Sequence, residues 1–300
     1  MGDNIVLNRN IGAFEKIYLV GNGRIADDCL RILAQRKIPV SYVEVYTETF
    51  GFTKKLCERL GIDFLHYDRQ DMKAFLLGIE EESLIFSVHN SYIFPKDAID
   101  RPNLTILNMH IAPLPKYRGM NAPTWEIYDQ QEYAGVTWHE VAANIDAGRI
   151  IDQKTFPIGP DDTAMKVLQA SFHAGVELFE KNLDMFLNRS YSTRPLEKTK
   201  ERLYLKKELP NDGYLDDKWD FEKSYAFLRA LDYSGTSLMR LPRVRHDGKV
   251  YEITGYQKMI DGEYSDSRIA EKQDDILKIF WGRYCLSCTL REVVETDKQI

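Results

Sequence analysis

The chain has 300 residues, 44% of them hydrophobic, with a formal net charge of −6 and a pI near 5.6. This length suits about two domains of roughly 100–200 residues each. Because no apolar run approaches the roughly 18–20 residues that span a bilayer, and because no extended basic face balances the acidic charge, we expect neither a membrane protein nor a nucleic-acid-binding protein.

Strands and helices alternate along the first part of the chain. "KIYLVGNGRIADDCLRILAQRKIPVSYVEVY" predicts a strand, a tight glycine turn, a helix that buries Ile25, Leu30, Ile32 and Leu33, and a second strand. A helix ending at Gly61, further strands at "DFLHY", "LIFSV" and "LTIL", and an intervening helix follow. This alternation predicts an α/β fold with a doubly wound, mostly parallel, Rossmann-like sheet.

The pattern changes in the second half of the chain. "GVTWHEVAANIDAGRIIDQKTFPI" predicts two strands joined by a turn, and a long amphipathic helix follows, with Asp162 as its predicted N-cap. After about residue 196 the sequence predicts one helix and several short strands. We therefore expect a first domain over residues 1–198 and a smaller, β-rich α+β domain over residues 199–300.

The four cysteines give little sign of a metal or disulfide framework. Cys29 and Cys57 fall on predicted helices, and Cys285 and Cys288 form a single C-x-x-C within predicted strands. One such pair is a weak zinc signal, so we interpret these residues as packed thiols and expect no metal. So few cysteines, and a first segment without the pattern of a secretory signal, favour the cytoplasm.

The first glycine turn raises the possibility of a dinucleotide site. "GNGRIA" fits G-x-G-x-x-A between a strand and a helix, where backbone N–H groups hold phosphate, and Glu44 and Glu48 stand near the distance of a ribose-binding acid. The alternative is that the first strand of a doubly wound sheet simply needs a tight turn. We favour the second interpretation because a different polar cluster follows another strand.

That second cluster is "NMHIAPLPKYRG". With the strand ending at Leu107, Asn108 and His110 emerge at the carboxyl edge of the sheet and share one face. An amide donor beside an imidazole can stabilise an oxyanion and transfer a proton, which suits acyl transfer, and Pro113 and Pro115 would stiffen the loop. A capped loop without catalytic function is the alternative.

A carboxylate stands further along the chain, in "NIDAGRI". Asp146 precedes an Ala-Gly pair, where Asp commonly accepts a hydrogen bond in an Asx turn. It could also orient and charge an imidazole. The residues alone leave both roles open.

Together these motifs resemble the N10-formyltetrahydrofolate-dependent formyltransferase family. The Asn-x-His, Leu-Pro-x-Tyr-Arg-Gly, Gly-Val-Thr-x-His and Asp-x-Gly elements occur here in the family's order, and the resemblance covers residue 16 to about 190. Ala112 and Pro113 replace the Ser-Leu that often precedes the family's Leu-Pro. The resemblance implies N10-formyltetrahydrofolate as co-substrate and Asn108, His110 and Asp146 as catalytic residues.

The resemblance also implies two sets of binding residues. Arg118 could meet phosphate or brace the loop, and bracing is the interpretation we favour. The predicted cofactor contacts are Phe86, Ser87, Val88, Tyr92, Ile93, His139, Val141, Ala142 and Asn144. The predicted substrate contacts are Tyr117, Arg118, Asn121 and Trp125.

The amine acceptor is less well defined by the sequence. Acidic charge and a short C-terminal domain favour a nucleotide-linked amino-deoxysugar as substrate, with a base stacked near Trp125. Methionyl-tRNA and an aminoacyl group on a carrier protein are alternatives, as is a folate-binding module without activity. The apolar strands of the C-terminal domain favour a homodimer.

Overall fold

The computed structural model of the chain describes residues 13–45, 51–197, 202–260 and 269–293. Glu48, one of the two predicted ribose-binding acids, lies outside these ranges. The strands are β1 (Lys16–Gly21), β2 (Ser41–Val45), β3 (Asp63–Tyr67), β4 (Ser83–Val88), β5 (Leu104–His110), β6 (Arg118–Gly119), β7 (Tyr133–Glu140), β8 (Ile150–Pro157), β9 (Leu203–Tyr204), β10 (Arg243–His246), β11 (Lys249–Ile260), β12 (Ile269–Gln273), β13 (Ile276–Trp281) and β14 (Tyr284–Val293). The helices are α1 (Gly23–Gln35), α2 (Phe52–Leu60), α3 (Arg69–Gly78), α4 (Lys96–Ile99), α5 (Ala122–Tyr128), α6 (Ala164–Leu187) and α7 (Phe221–Ala230).

A seven-stranded sheet in the order β3-β2-β1-β4-β5-β7-β8 forms the centre of the first unit. Strands β1 to β5 run parallel to one another, and β7 joins β5 in the antiparallel direction. The predicted α/β fold with a mostly parallel sheet is confirmed. The carboxyl ends of β1, β4 and β5 therefore lie at one edge, where open α/β sheets bind ligands.

Both faces of this sheet are covered by apolar side chains. In β1, Ile17 and Leu19 belong to a core that also holds residues of α1 and α6, whereas Tyr18 and Val20 belong to a second core that holds residues of α3. A strand buried on both sides reads as a continuous apolar run. This explains why "IYLV" shows no alternation of polar and apolar residues.

Strand β5 continues three residues beyond its predicted end at Leu107. The extension forms because residues 107–110 pair with β7 in an antiparallel ladder, in which Leu107 opposes Glu140 and His110 opposes Thr137. Asn108 and His110 therefore lie within a hydrogen-bonded strand, and the predicted loop begins only after His110.

The second unit contains a five-stranded antiparallel sheet in the order β10-β11-β14-β13-β12, packed with α7. This unit comprises residues 120–134, 157–169 and 204–300, so two segments of the predicted first domain belong with it. The predicted boundary at residue 198 assigned both segments to the first domain, because they lie far in sequence from residues 204–300. Cys285 and Cys288 lie on β14, where both are buried thiols outside any disulfide.

The start of α6 differs from the prediction. Thr163 immediately precedes the helix, and its hydroxyl lies 3.4 Å from the backbone nitrogen of Lys166. Asp162 instead accepts a hydrogen bond from the backbone nitrogen of Gly159 at 2.7 Å. Within the described ranges, no helix has the length and apolar character needed to cross a bilayer.

Candidate functional site

Three neighbouring strands bring polar side chains into one row at the carboxyl edge of the sheet. Ser87 on β4 pairs with Asn108 on β5, and Asn108 pairs with His139 on β7. His110 pairs with Thr137, one step further along the same two strands. Because alternate residues of a strand share a face, Asn108, His110, Thr137 and His139 all project to the same side.

Asp146 completes this cluster from the loop that follows β7. Its carboxylate accepts a hydrogen bond from the backbone nitrogen of Gly119 at 2.8 Å, 27 positions away in the chain. His110 Nδ1 lies 3.4 Å from Oδ2, and His139 Nε2 lies 3.6 Å from Oδ1. Of the three predicted catalytic residues, His110 and Asp146 face each other directly, and Asn108 reaches the same cluster through His139.

The side chain of Asp146 is only 11% exposed, and burial alone would raise its pKa. The imidazole of His110 and the N–H group of Gly119 outweigh that effect and hold the pKa of this carboxyl below its usual range. Asp146 is therefore ionised at neutral pH despite its burial.

A side-chain hydrogen bond, the backbone conformation and close packing together fix the loop that carries Asp146. Arg118 Nε donates to the carbonyl oxygen of Ile145 at 3.0 Å, in keeping with the bracing role predicted for this arginine. Asp146 itself adopts a left-handed conformation with φ of 48°. A Cβ at Gly148 would lie 1.6 Å from the carbonyl oxygen of Glu140, so only glycine fits the close approach of loop and strand.

His110 is 7% exposed and has partners for both ring nitrogens. Nε2 lies 2.9 Å from the carbonyl oxygen of Tyr117, which can only accept, and Nδ1 faces Asp146. A direct hydrogen bond from His110 Nε2 to a substrate would therefore replace its bond to Tyr117.

Asn108 sits in the middle of a hydrogen-bond chain across the strands. Its Oδ1 accepts from the hydroxyl of Ser87 at 2.8 Å, and its Nδ2 lies 3.1 Å from His139 Nε2. His139 Nδ1 donates to the carbonyl oxygen of Glu140 at 2.7 Å. Ser87 and His139 were predicted as cofactor contacts, and their bonds to Asn108 depend on strand pairing that the sequence does not reveal.

The proline-containing loop after β5 is held by side chains as well as by its prolines. The Thr137 hydroxyl donates to the carbonyl oxygen of Ala112 at 2.7 Å and accepts from the backbone nitrogen of Leu114 at 3.1 Å. Gln153 Nε2 donates to the carbonyl oxygen of Leu114 and to the Thr137 hydroxyl. The sequence offered only the threonine of Gly-Val-Thr as a signal for this brace.

Two of the three apolar residues among the predicted cofactor contacts 86–93, Phe86 and Val88, are not accessible to a cofactor. Phe86 and Val88 are fully buried in the core with α1 and α6, and Phe86 packs edge-on against Trp138 at 6.1 Å between ring centroids. Ile93, in contrast, is 61% exposed. Since Phe86 and Val88 flank Ser87 on a strand, they face away from the polar row.

The remaining predicted cofactor contacts fall at different depths. Tyr92 is buried at 8% exposure in the core on the other side of the sheet. Val141 and Ala142 are half-buried at the end of β7, and Asn144 is exposed in the loop before Asp146. Two residues of the predicted set, Ser87 and His139, form side-chain hydrogen bonds with the predicted catalytic residue Asn108.

The predicted substrate contacts divide in the same way. Tyr117 is 4% exposed and offers its carbonyl oxygen to His110. Asn121 donates to the carbonyl oxygen of Lys206 at 3.2 Å. The Trp125 ring is 6% exposed and packs on Tyr204 at 4.8 Å between centroids, which leaves too little ring surface for the predicted stacking of a base.

The first glycine turn has a different character. A Cβ at Gly21 would lie 2.7 Å from both Ala26 Cβ and the carbonyl oxygen of Val88, so packing alone requires glycine there. A cavity of about 380 Å³ beside the turn is lined by two carboxyls, Asp27 and Glu44, and by two cationic residues, Arg24 and Lys54. Burial raises the pKa of both groups.

Comparisons with known proteins agree with the motifs. Residues 69–183 match the model of the formyl transferase family. Over 244 residues the chain is 25% identical to GDP-perosamine N-formyltransferase of Brucella melitensis biotype 1, covering 79% of this chain and 92% of that protein. Over 166 residues it is 30% identical to methionyl-tRNA formyltransferase of Natranaerobius thermophilus, covering 54% of this chain and 52% of that protein.

The fold is also similar to a solved structure. The N-formyltransferase from Helicobacter canadensis, in complex with folinic acid and dTDP-3-aminofucose, superposes with a TM-score of 0.74 at 19% identity, over 92% of this chain and 99% of that chain. The chain spans only 22% to 52% of the length of the first curated relatives it matches. Over residues 69–183 the motifs and the family match agree in their similarity to formyl transferases.

Proposed function

We propose that the protein transfers a formyl group from N10-formyltetrahydrofolate to the primary amine of a nucleotide-linked amino-deoxysugar. The observation that carries this proposal is the cluster of Asn108, His110 and Asp146 within the segment that matches the formyl transferase family. The sugar acceptor is supported by GDP-perosamine N-formyltransferase, which this chain covers over 92% of its length. Methionyl-tRNA is the second candidate because of the 30% identity to an enzyme of that name.

The donor set suits a carbonyl substrate. Asn108 has two N–H bonds and directs one toward His139, so the other can donate to the formyl oxygen as negative charge develops there. Asp146 is ionised, and its charge would stabilise an imidazolium at His110 during the reaction.

N10-formyltetrahydrofolate would enter as a substrate and supply the formyl carbon. The attacking amine forms a bond to that carbon, and the bond from the carbon to N10 breaks. The proton that the amine loses is matched by the proton that N10 gains, so the transfer releases no net proton. No covalent intermediate on the protein is needed, and therefore no nucleophilic Ser or Cys.

Two further proposals accompany the reaction. We place the protein in the cytoplasm, since all four cysteines are buried thiols outside any disulfide, as suits a reducing compartment. We also propose a homodimer, as the apolar strands of the second unit suggested from the sequence. Light scattering of the purified protein would test the dimer, and a monomer at micromolar concentration would contradict it.

A formylation assay tests the reaction. The full chain is incubated with N10-formyltetrahydrofolate and, separately, dTDP-, UDP- and GDP-linked amino sugars or aminoacylated initiator tRNA, and products are identified by mass spectrometry. We expect a formylated amino sugar. Turnover of the tRNA alone, with a steep loss on raising the salt concentration, would instead support the translational substrate. Folate binding without turnover of any amine would support a binding module.

A further inference from the structure

The chain of hydrogen bonds through Asn108 has a fixed direction at its first end. Asn90 Oδ1 accepts from the backbone nitrogen of Tyr92 at 2.9 Å, and a backbone N–H can only donate. The amide nitrogen of Asn90 must therefore point the other way, where it lies 3.4 Å from the Ser87 hydroxyl and from the carbonyl oxygen of Tyr92. Ser87 is then left to donate its own hydrogen to Asn108 Oδ1.

The opposite end of the chain is fixed by a group that can only accept. The carbonyl oxygen of Glu140 lies 2.7 Å from His139 Nδ1, so the proton of the neutral ring resides on Nδ1. His139 Nε2 then carries a lone pair, and Asn108 Nδ2 can donate to it across 3.1 Å. Every bond from Asn90 to Glu140 therefore has the same polarity, and both ends are set by backbone groups.

A protonated His139 could not take part in this chain. Its Nε2 would become a donor, could no longer accept from Asn108, and would turn toward Asp146 Oδ1, now 3.6 Å away. The groups that face the ring are Asn108 from β5, Asp146 from the loop after β7, and the carbonyl of Glu140. His110, which lies in the next cross-strand pair with Thr137, faces the same carboxylate.

We propose that His139, in its neutral Nδ1-protonated form, is the positioning residue that holds the amide of Asn108 with its second N–H directed at the formyl oxygen. This inference rests on the proposed formyl transfer and adds a role for a buried side chain that does not itself meet the reacting atoms. His139 is 2% exposed, which suits a support behind Asn108 better than contact with a cofactor.

Two substitutions at the same position separate the functions of the two ring nitrogens. His139→Gln can place an amide oxygen near the position of Nε2 and accept from Asn108. His139→Asn can reach only the position of Nδ1, so it preserves the bond to Glu140 and removes the acceptor. We expect His139→Asn to lower kcat by about 10- to 100-fold, less than the roughly 10²–10³-fold loss for a deleted oxyanion donor, and His139→Gln to restore most of it.

Further measurements exclude a general structural effect. The KM for N10-formyltetrahydrofolate should stay unchanged in both variants, and thermal melting checks that each is folded. Ser87→Ala breaks the chain on the other side of Asn108 and should also lower kcat. In the double variant Asn108→Ala with His139→Asn, the second change should cost nothing further, because His139 acts through Asn108.

Several results would overturn the proposal. A raised KM for the formyl donor with unchanged kcat would mean that His139 contacts the cofactor, and an additive loss in the double variant would mean that it acts independently. Nitrogen-15 NMR of histidine-labelled protein, with the His139 signal assigned by its loss in His139→Gln, reads the tautomer without any substrate. A proton on Nε2 would overturn the positioning role even if formyl transfer is observed, whereas an inactive wild type would overturn the proposed function.

Discussion

Two polar clusters at the carboxyl edge of the same sheet shift the pKa values of their carboxyl groups in opposite directions. Beside β5 and β7, Asp146 meets the N–H group of Gly119 and the imidazole of His110, and its pKa is lowered. Beside β1 and β2, Asp27 has the hydroxyl of Thr53 at 2.8 Å and Glu44 is 7% exposed, and burial raises both pKa values. Burial alone favours the neutral acid, and only a built set of donors keeps the charge.

The difference shows what the two sequence motifs mean. The Asp-x-Gly motif supplies a carboxylate that is prepared for charge at neutral pH. The glycine-rich fingerprint supplies a tight turn that close packing demands. The acids beside it have cationic neighbours, Arg31 for Asp27 and His66 for Glu44, that do not offset burial. Matched substitutions in the two clusters test this difference.

The largest effect should come from Asp146→Asn. The amide can still accept from the backbone nitrogen of Gly119, but it removes the negative charge beside His110 and His139. We expect the single-turnover rate of formyl transfer to fall by about 10²–10⁴-fold, the range typical of lost proton-transfer assistance. Asp27→Asn, the same change in the other cluster, should leave the rate unchanged. Equal losses in the two variants would remove the distinction between the clusters.

Gly148→Ala should follow in size. The added Cβ would lie 1.6 Å from the carbonyl oxygen of Glu140, so the loop that carries Asp146 must shift. We expect a loss of about 3 kcal/mol in the free energy of unfolding, measured by urea denaturation, together with slower formyl transfer. Gly78→Ala, where a Cβ meets nothing within 4 Å, is the control and should not destabilise. A fully active and stable Gly148→Ala would show that the loop tolerates the displacement.

Gly21→Ala should cost stability for reasons of packing. Its Cβ would lie 2.7 Å from Ala26 Cβ and from the carbonyl oxygen of Val88. We expect about 1–3 kcal/mol of destabilisation in urea denaturation, with or without added NAD. If the wild type bound NAD at micromolar concentration and this substitution abolished the binding, the first turn would be a dinucleotide site.

The smallest effect should be the response of stability to pH. The pKa of Glu44 is raised in the folded state, so its ionisation destabilises the fold as pH rises from the unfolded value near 4.3 through the folded value. Glu44→Gln should therefore stabilise the fold at neutral pH and lose this advantage in acid.

Asp146→Asn provides the opposite sign in the same thermal melts. The folded pKa of Asp146 is lowered, so its charge stabilises the fold above the unfolded value near 3.9, and this stability is lost as pH falls through the folded value. The substitution should destabilise at neutral pH and matter progressively less in acid. Parallel pH profiles for the two variants would contradict the contrast between the clusters.

Local patterns in the sequence predicted much of the fold. The helix face of Ile25, Leu30 and Leu33 is buried, and α2 ends at Gly61 in a left-handed conformation, as helices often do. In both cases neighbouring residues decide the structure, so a single sequence suffices. Asn108 and His110 project from the same face of β5 for an equally local reason, because they are two residues apart in a strand.

The rest of the site depends on contacts between distant segments. Phe86 and Val88 lie on a strand buried on both faces, where the sequence carries no alternation to show which side faces the polar row. The brace from Thr137 to the proline-containing loop requires the pairing of β5 with β7. The sequence predicted that a base could stack near Trp125, but its ring is buried against Tyr204.

The register of β5 against β7 also determines which side chains meet in the site. Asn108 opposes His139 and His110 opposes Thr137 only in the observed register. A shift of one residue would turn every side chain of β7 to the opposite face, leaving Trp138 where His139 now stands. Deleting a residue between Thr137 and His139 would thus misalign the two strands, so related chains should conserve the length of this segment. The same should hold for the loop from Glu140 to Gly148, whose close approach to the strand places Asp146.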